Sequence, residues 1–120
     1  MKKVYYLATC STCARIISET GLKDKGFDFQ NIKVEKITPA ELAEMKMLAG
    51  SYEALFSRRS QQYKAMGLKD KTLTEKDYRL LILEEYTFLK RPVIIKGNEI
   101  FVGSEAGTVA LLAKKMKDDR

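Results

Sequence analysis

The chain contains no histidine, only two cysteines, and no apolar run near the roughly 18 residues that a membrane span requires. Structural zinc takes four ligands, usually Cys and His, so these residues cannot close such a site within one molecule. Only a site shared between two copies would have enough thiols. Two cysteines are also too few for a disulfide framework. The opening "MKKVYY" lacks the apolar stretch and small-residue cleavage site of a signal peptide, so a cytoplasmic location and no membrane association are expected. No glycine-rich phosphate loop, repeat, linker or low-complexity segment is found. Nothing in the pattern demands an apolar interface, so a monomer is expected. The formal charge is +6, but the lysines and arginines are spread along the chain, with local concentrations only at "FSRRSQQYK" and "KKMKDDR". A nucleic-acid surface needs a clustered basic face with stacking aromatics, so a solvated surface is expected instead, with no direct nucleic-acid contact.

What is present suits one α/β domain over residues 1–120. "KKVYYLA" reads as a strand, and a helix follows at once. Ser11 or Thr12 is expected to cap it and Gly21 to end it. "FDFQNIKVEKI" alternates Phe27, Phe29, Ile32 and Val34 as a second strand. "TPAELAEMKMLAG" predicts a helix with Thr38 as cap, Pro39 in the first turn, Glu41 completing a capping box, and Gly50 as stop. Met45, Met47 and Leu48 on it are expected in the core. Residues 51–86 read as helical throughout, with Thr74 capping the last segment. "RPVIIKGNEIFVG" is a hairpin turning at Gly97-Asn98, and Ser104 is expected to cap a final helix. The order β-α-β, helical block, β-β-α is that of a thioredoxin-like, glutaredoxin-like fold. Its mixed sheet would be built from residues of about 1–37 and 87–120, with a helical insertion over about 38–86.

Both cysteines lie in "YYLATCSTCARII". Cys10 falls where the first strand gives way to the first helix, and the exposed N–H groups there favour an anion. A thiol at that place should ionise more readily than a free cysteine. Cys13 is one turn on, close enough to attack a mixed disulfide formed at Cys10. Two small thiols packed under a helix would give the same spacing. Pro92 favours the redox reading, because a proline cannot donate to a sheet ladder and X-Pro is the bond at which cis is cheap. In thioredoxin-like folds such a proline opens the strand that faces the reactive thiol.

The run of "YYLATCSTC", "LFSRRSQQYKAMGL", "LTEKDYRLLILE", "LKRPVII" and "FVG" resembles the ArsC/Spx family, the glutaredoxin-like arsenate reductases and their relatives, over about residues 3–112. The resemblance implies Cys10 as nucleophile and Cys13 as the second cysteine of Spx-type members. It makes Arg91, before the cis-proline Pro92, an oxyanion holder, and Arg59, or its neighbour Arg58, an arginine of the insert that serves the site. The chain departs from enteric-type reductases in having Tyr6-Leu7 where they carry His-Asn. It also has Val102-Gly103 where they carry a third arginine, and Arg15 sits one place later than in many Spx proteins.

The implied activity is that of a thiol-dependent oxidoreductase acting on a small oxyanion or a thiol. The N–H groups of Ser11, Thr12 and Cys13 would join Arg91 and Arg59 around an anion. No metal or resident cofactor is expected. Glutathione, glutaredoxin or thioredoxin would supply the electrons. The alternative from another class is an Spx-like regulator, with the cysteine pair as an oxidation switch and the RNA polymerase α subunit as partner.

Overall fold

The computed structural model describes residues 1–118; the final two residues of the basic tail segment, 119 and 120, lie outside the described residues. Five helices and four strands are described, with short 3-10 turns between them. They group into two compact units, residues 1–35 with 91–120, and residues 36–90.

The first unit holds the sheet. Strand β1, Lys2–Tyr6, lies in the middle, parallel to β2, Asp28–Asn31, and antiparallel to β3, Val93–Lys96. Strand β4, Glu99–Val102, completes the order β2-β1-β3-β4 and pairs antiparallel with β3 through the Gly97-Asn98 turn. The sheet is therefore mixed, as the βαβ start and the late hairpin predict. Helices α1, Ser11–Thr20, and α5, Ala106–Asp118, bring Ile16, Ile17, Leu112 and Met116 onto Val4, Ile94 and Phe101. Alternate strand residues Tyr5, Val93 and Ile95 are buried as well, which fits the near-continuous apolar run "PVII".

The second unit contains α2, Pro39–Ala49, the short α3, Gln61–Ala65, and α4, Glu75–Glu84. Thr38 and Glu41 form the expected capping box, and Thr74 forms another with Asp77. The core here centres on Phe56, which stacks on Phe88 at 5.0 Å and meets Tyr78 at 4.9 Å and Tyr63 at 6.0 Å. Residues 51–86 are not one helical run. Ser60 caps α3, Gly67 takes a left-handed conformation after it, and Thr74 restarts the chain, leaving 3-10 turns at Glu53–Leu55, Leu68–Asp70 and Tyr86–Phe88.

Four further expectations are corrected. Strand β2 stops at Asn31, whose carbonyl accepts the N–H groups of Val34 and Glu35 in a turn, and Val34 is 82% exposed. Met47 is 74% exposed on α2, while Met45 carries the buried position. Helix α5 starts at Ala106, and Val109 N–H bonds to the Glu105 carbonyl, so Ser104 precedes the cap. The residue that caps α1 is Cys10 itself, ahead of Ser11 and Thr12. Among the described residues no helix is long and apolar enough to cross a membrane.

Candidate functional site

Strand β1 ends at Tyr6 and the chain turns through residues 7–9, with the Cys10 N–H bonded to the Leu7 carbonyl at 3.0 Å. Cys10 then sits with φ −89° and ψ 110°, still extended, while its carbonyl already accepts the Ala14 N–H at 3.1 Å. Its sulfur accepts the Cys13 N–H at 3.4 Å. The thiol thus takes the place of the oxygen that Ser, Thr, Asp or Asn presents at a helix start, satisfying one of the free N–H groups of the first turn.

The two thiols are unbonded and differ in exposure: Cys10 is half-buried and Cys13 fully buried. Burial alone would raise the Cys10 pKa. Hydrogen bonds from the Cys13 N–H, the Cys13 thiol and the Thr12 N–H, together with the Arg91 charge, outweigh burial and leave it below the ordinary thiol value. For Cys13 burial wins. A backbone hydrogen bond from Leu7 lowers its pKa, but the Cys10 sulfur and charge add to burial and push it up to about 11. A pair of identical side chains is thereby split into an acidic outer thiol and a reluctant inner one.

Arg91 and Pro92 approach from β3. The register pairs Tyr5 with Val93, which carries Pro92 to the level of Tyr6, where the cysteine turn begins. The Arg91–Pro92 bond is cis, and the Pro92 carbonyl accepts the Gly103 N–H at 2.9 Å. Arg91 is half-buried, and its Nη1 is fully buried without a hydrogen-bond partner. A guanidinium nitrogen withdrawn from water and left unpaired is unusual, since buried donors nearly always find an acceptor.

Cys10, Ser11, Thr12, Cys13, Arg91 and Pro92 therefore belong to one unit, at one end of its sheet. Arg59 belongs to the unit of residues 36–90, where its backbone N–H bonds to Ser57 Oγ at 3.3 Å and its exposed guanidinium makes no hydrogen bond or ion pair among the described residues. Its neighbour Arg58 is already engaged, with Glu53 at 2.8 Å and the Tyr78 hydroxyl at 3.0 Å. Of the two, Arg59 has the uncommitted charge. Arg15 pairs with Glu19 at 3.4 Å on the exposed face of α1.

A groove of about 270 Å³ opens beside the cysteine turn. Its walls are Tyr6 from the end of β1, Leu7 and Ala8 from the turn, Ala14 and Ile17 from α1, and Phe29 from β2, with Lys23 contributing the one charge. The Tyr6 and Phe29 rings meet edge to face at 5.8 Å. Sequence reasoning missed this groove. The signal available was Tyr6-Leu7, two apolar residues standing where the reductases carry His-Asn.

Residues 5–112 match the ArsC family. The regulatory protein MgsR of Bacillus subtilis (strain 168) is 23% identical over 115 residues, spanning 92% of this chain and 89% of that protein. Among solved structures, arsenate reductase from Vibrio cholerae superposes with a TM-score of 0.77 at 15% identity, over 92% of this chain and 96% of its own. An arsenate reductase (ArsC) related protein from Brucella melitensis gives 0.70 at 17% identity, over 92% of each chain. At these identities the structural likenesses carry the thioredoxin-like α/β fold and nothing finer.

Proposed function

This chain belongs to the ArsC family, and we propose that it is a thiol-dependent oxidoreductase of the arsenate-reductase kind, with Cys10 as nucleophile and Cys13 as resolving thiol. The observation that carries the reading is the splitting of the two thiols: Cys10 caps α1 under Arg91 and is acidified, while buried Cys13 is held protonated. A nucleophile needs the thiolate, and a resolving thiol should stay inert until the first bond has formed.

With a disulfide substrate, the Cys10 thiolate attacks one sulfur, forms the mixed disulfide and expels the other half as a thiolate. Cys13 gives up its proton and attacks Cys10 Sγ, forming the Cys10–Cys13 disulfide and releasing the second thiolate. The substrate's two electrons come from the two cysteines, and external glutathione, glutaredoxin or thioredoxin returns them. With arsenate, Cys10 bonds to arsenic and one oxygen leaves as water, taking protons from solvent. A second thiol, Cys13 or glutathione, then attacks Cys10 Sγ, and arsenic departs as arsenite with the bonding electron pair. The N–H groups of Ser11, Thr12 and Cys13 and the guanidinium of Arg91 are the donors for an oxyanion. Pro92 lies against the substrate's sulfur. The missing third arginine at Val102-Gly103 should slow arsenate turnover. A single oxyanion donor is worth about 10²–10³ in rate.

The test is alkylation by iodoacetamide across pH, read at each cysteine by mass spectrometry. Cys10 should be labelled first, with a midpoint below the ordinary 8.5 or so, and buried Cys13, whose pKa is pushed up to about 11 while Cys10 is free, should be labelled later and more slowly. Arsenate should protect Cys10 where sulfate does not. A Cys10 midpoint at or above the ordinary value overturns the reading. Arg91→Met is expected to move the Cys10 midpoint upward, because the guanidinium favours the thiolate; an unmoved midpoint would remove Arg91 from the site.

A second reading, a redox-switched regulator in the cytoplasm acting on the RNA polymerase α subunit, is favoured by the similarity to MgsR. In that case the Cys10–Cys13 disulfide is the signal and needs no substrate. Retention of the α subunit by the oxidised protein alone, in a pull-down with both redox forms, would select it.

A further inference from the structure

We propose that the groove beside Cys10 is a specificity pocket for an apolar group bearing a carboxylate, carried by the thiol or disulfide substrate whose sulfur Cys10 attacks. The inference rests on the oxidoreductase reading for the attacking thiol, but the groove itself can be tested without it.

The groove adjoins the cysteine turn. Leu7 lines it and also accepts the Cys10 N–H, while Ala14 lines it and donates to the Cys10 carbonyl. A substrate held at Cys10 Sγ therefore has walls of Leu7, Ala8 and Ala14 two to four positions along the chain from Cys10. The remaining surface is the Tyr6–Phe29 pair and Ile17, which offers hydrocarbon, ring edges and the Tyr6 hydroxyl, and no carboxylate. At about 270 Å³ it falls just under the range of about 300–1,000 Å³ usual for ligand sites, which suits a single ring or a branched alkyl group. Charge selects the rest. Lys23 is exposed, borders the groove and makes no ion pair among the described residues, so its ammonium is available to an incoming anion.

These features distinguish the groove from the oxyanion donors. Arg91 and the first turn of α1 present N–H groups to a small, fully polar ion, whereas the groove presents apolar walls and one peripheral cation. A bare oxyanion gains nothing from Phe29 or Ile17, and from Tyr6 only its hydroxyl. An aryl or alkyl thiol with a carboxylate gains from both the walls and Lys23.

The test uses the Cys10→Ser protein, in which no covalent step can occur, with amide spectra recorded against 4-phenylbutyrate and 4-phenylbutylamine. Saturable shifts are expected at Leu7, Ala8 and Ala14. The amine should bind about two- to fivefold more weakly, the span an exposed ion pair gives. Lys23→Glu should reverse that order, and Ala14→Leu should abolish saturation by both probes while leaving the other amides in place. Equal binding of the two probes, no saturable shifts, or an order unchanged by Lys23→Glu overturns the pocket. With Cys10 restored, exchange with an anionic aryl disulfide should lose ground to exchange with cystamine in Lys23→Glu. If binding responds and this rate ratio does not, the pocket does not serve Cys10. A failure of Cys10 chemistry alone would leave the binding results untouched.

Discussion

Cys10→Ser is expected to reduce thiol–disulfide exchange to the background rate, a loss of at least about 10³-fold, the scale on which removing a covalent nucleophile acts. The substitution is unusually clean here. Cys10 caps α1 through its side chain, and serine is among the best capping residues, so the helix start is retained while the nucleophile is lost. Cys13→Ser should act differently. The first exchange step survives, because the Cys13 N–H that bonds to Cys10 Sγ is a backbone group. The mixed disulfide at Cys10 should then accumulate and show as an added mass on the intact protein. If Cys13→Ser abolished the first step while Cys10→Ser retained it, the two roles would be exchanged and the mechanism rejected.

The high pKa of Cys13 at first looks unfavourable for a thiol that, in the proposed mechanism, attacks in the second step. Two of the influences that raise it come from Cys10: the charge on the Cys10 sulfur and the hydrogen bond to it. Both vanish once Cys10 is bonded to substrate, and only the burial penalty remains against the Leu7 hydrogen bond and the Arg91 charge. Forming a mixed disulfide at Cys10 should therefore acidify Cys13. Before that step burial and its proton protect Cys13, so in the proposed mechanism it should not compete with Cys10 for substrate.

The parts of this arrangement that could be read from the sequence were those fixed by strong local chemistry. Pro92 before "VII" cannot serve a sheet ladder, and the bond before it is cis as expected. Thr38-Pro39 with Glu41 states its own helix start. Cys10 as a cap was not legible, because the preference ranking puts Ser and Thr ahead of Cys, and "CSTC" offers both. The position is decided by where β1 releases the chain and by the Leu7 turn, which are matters of sheet register. The overlong second strand has a related cause. The alternation of Phe27, Phe29, Ile32 and Val34 is genuine, but Asn31 turns the chain, and β1 offers partners only through Tyr6. Arg58 and Arg59 were indistinguishable as letters; Glu53 and Tyr78, five and twenty positions away, engage one and leave the other. The groove escaped notice because its walls come from three elements, and only the assembled sheet brings Phe29 beside Tyr6.

Phe56→Ala should be the most destabilising single change in the unit of residues 36–90, at about 3–5 kcal/mol by the usual cost of removing a buried phenylalanine. Phe56 is fully buried and supports three rings at once: Phe88 stacked, and Tyr78 and Tyr63 at an angle. Its backbone is fixed by a bridge to Leu89, flanked by the Ser57 N–H to the Phe88 carbonyl at 2.7 Å and the Lys90 N–H to the Leu55 carbonyl at 2.8 Å. A backbone held on both sides cannot collapse into the space left behind, so the cavity cost should lie toward the upper end of the range. Phe56→Leu, which keeps much of the volume, should cost clearly less. Urea unfolding of the two variants measures both values, and equal midpoints would mean that ring packing at Phe56 is not what holds this unit. The consequence reaches the arginines. Tyr78 holds Arg58 through its hydroxyl and lies 4.9 Å from the Phe56 ring, so loosening the ring cluster should cost Arg58 that bond and leave it held by Glu53 alone.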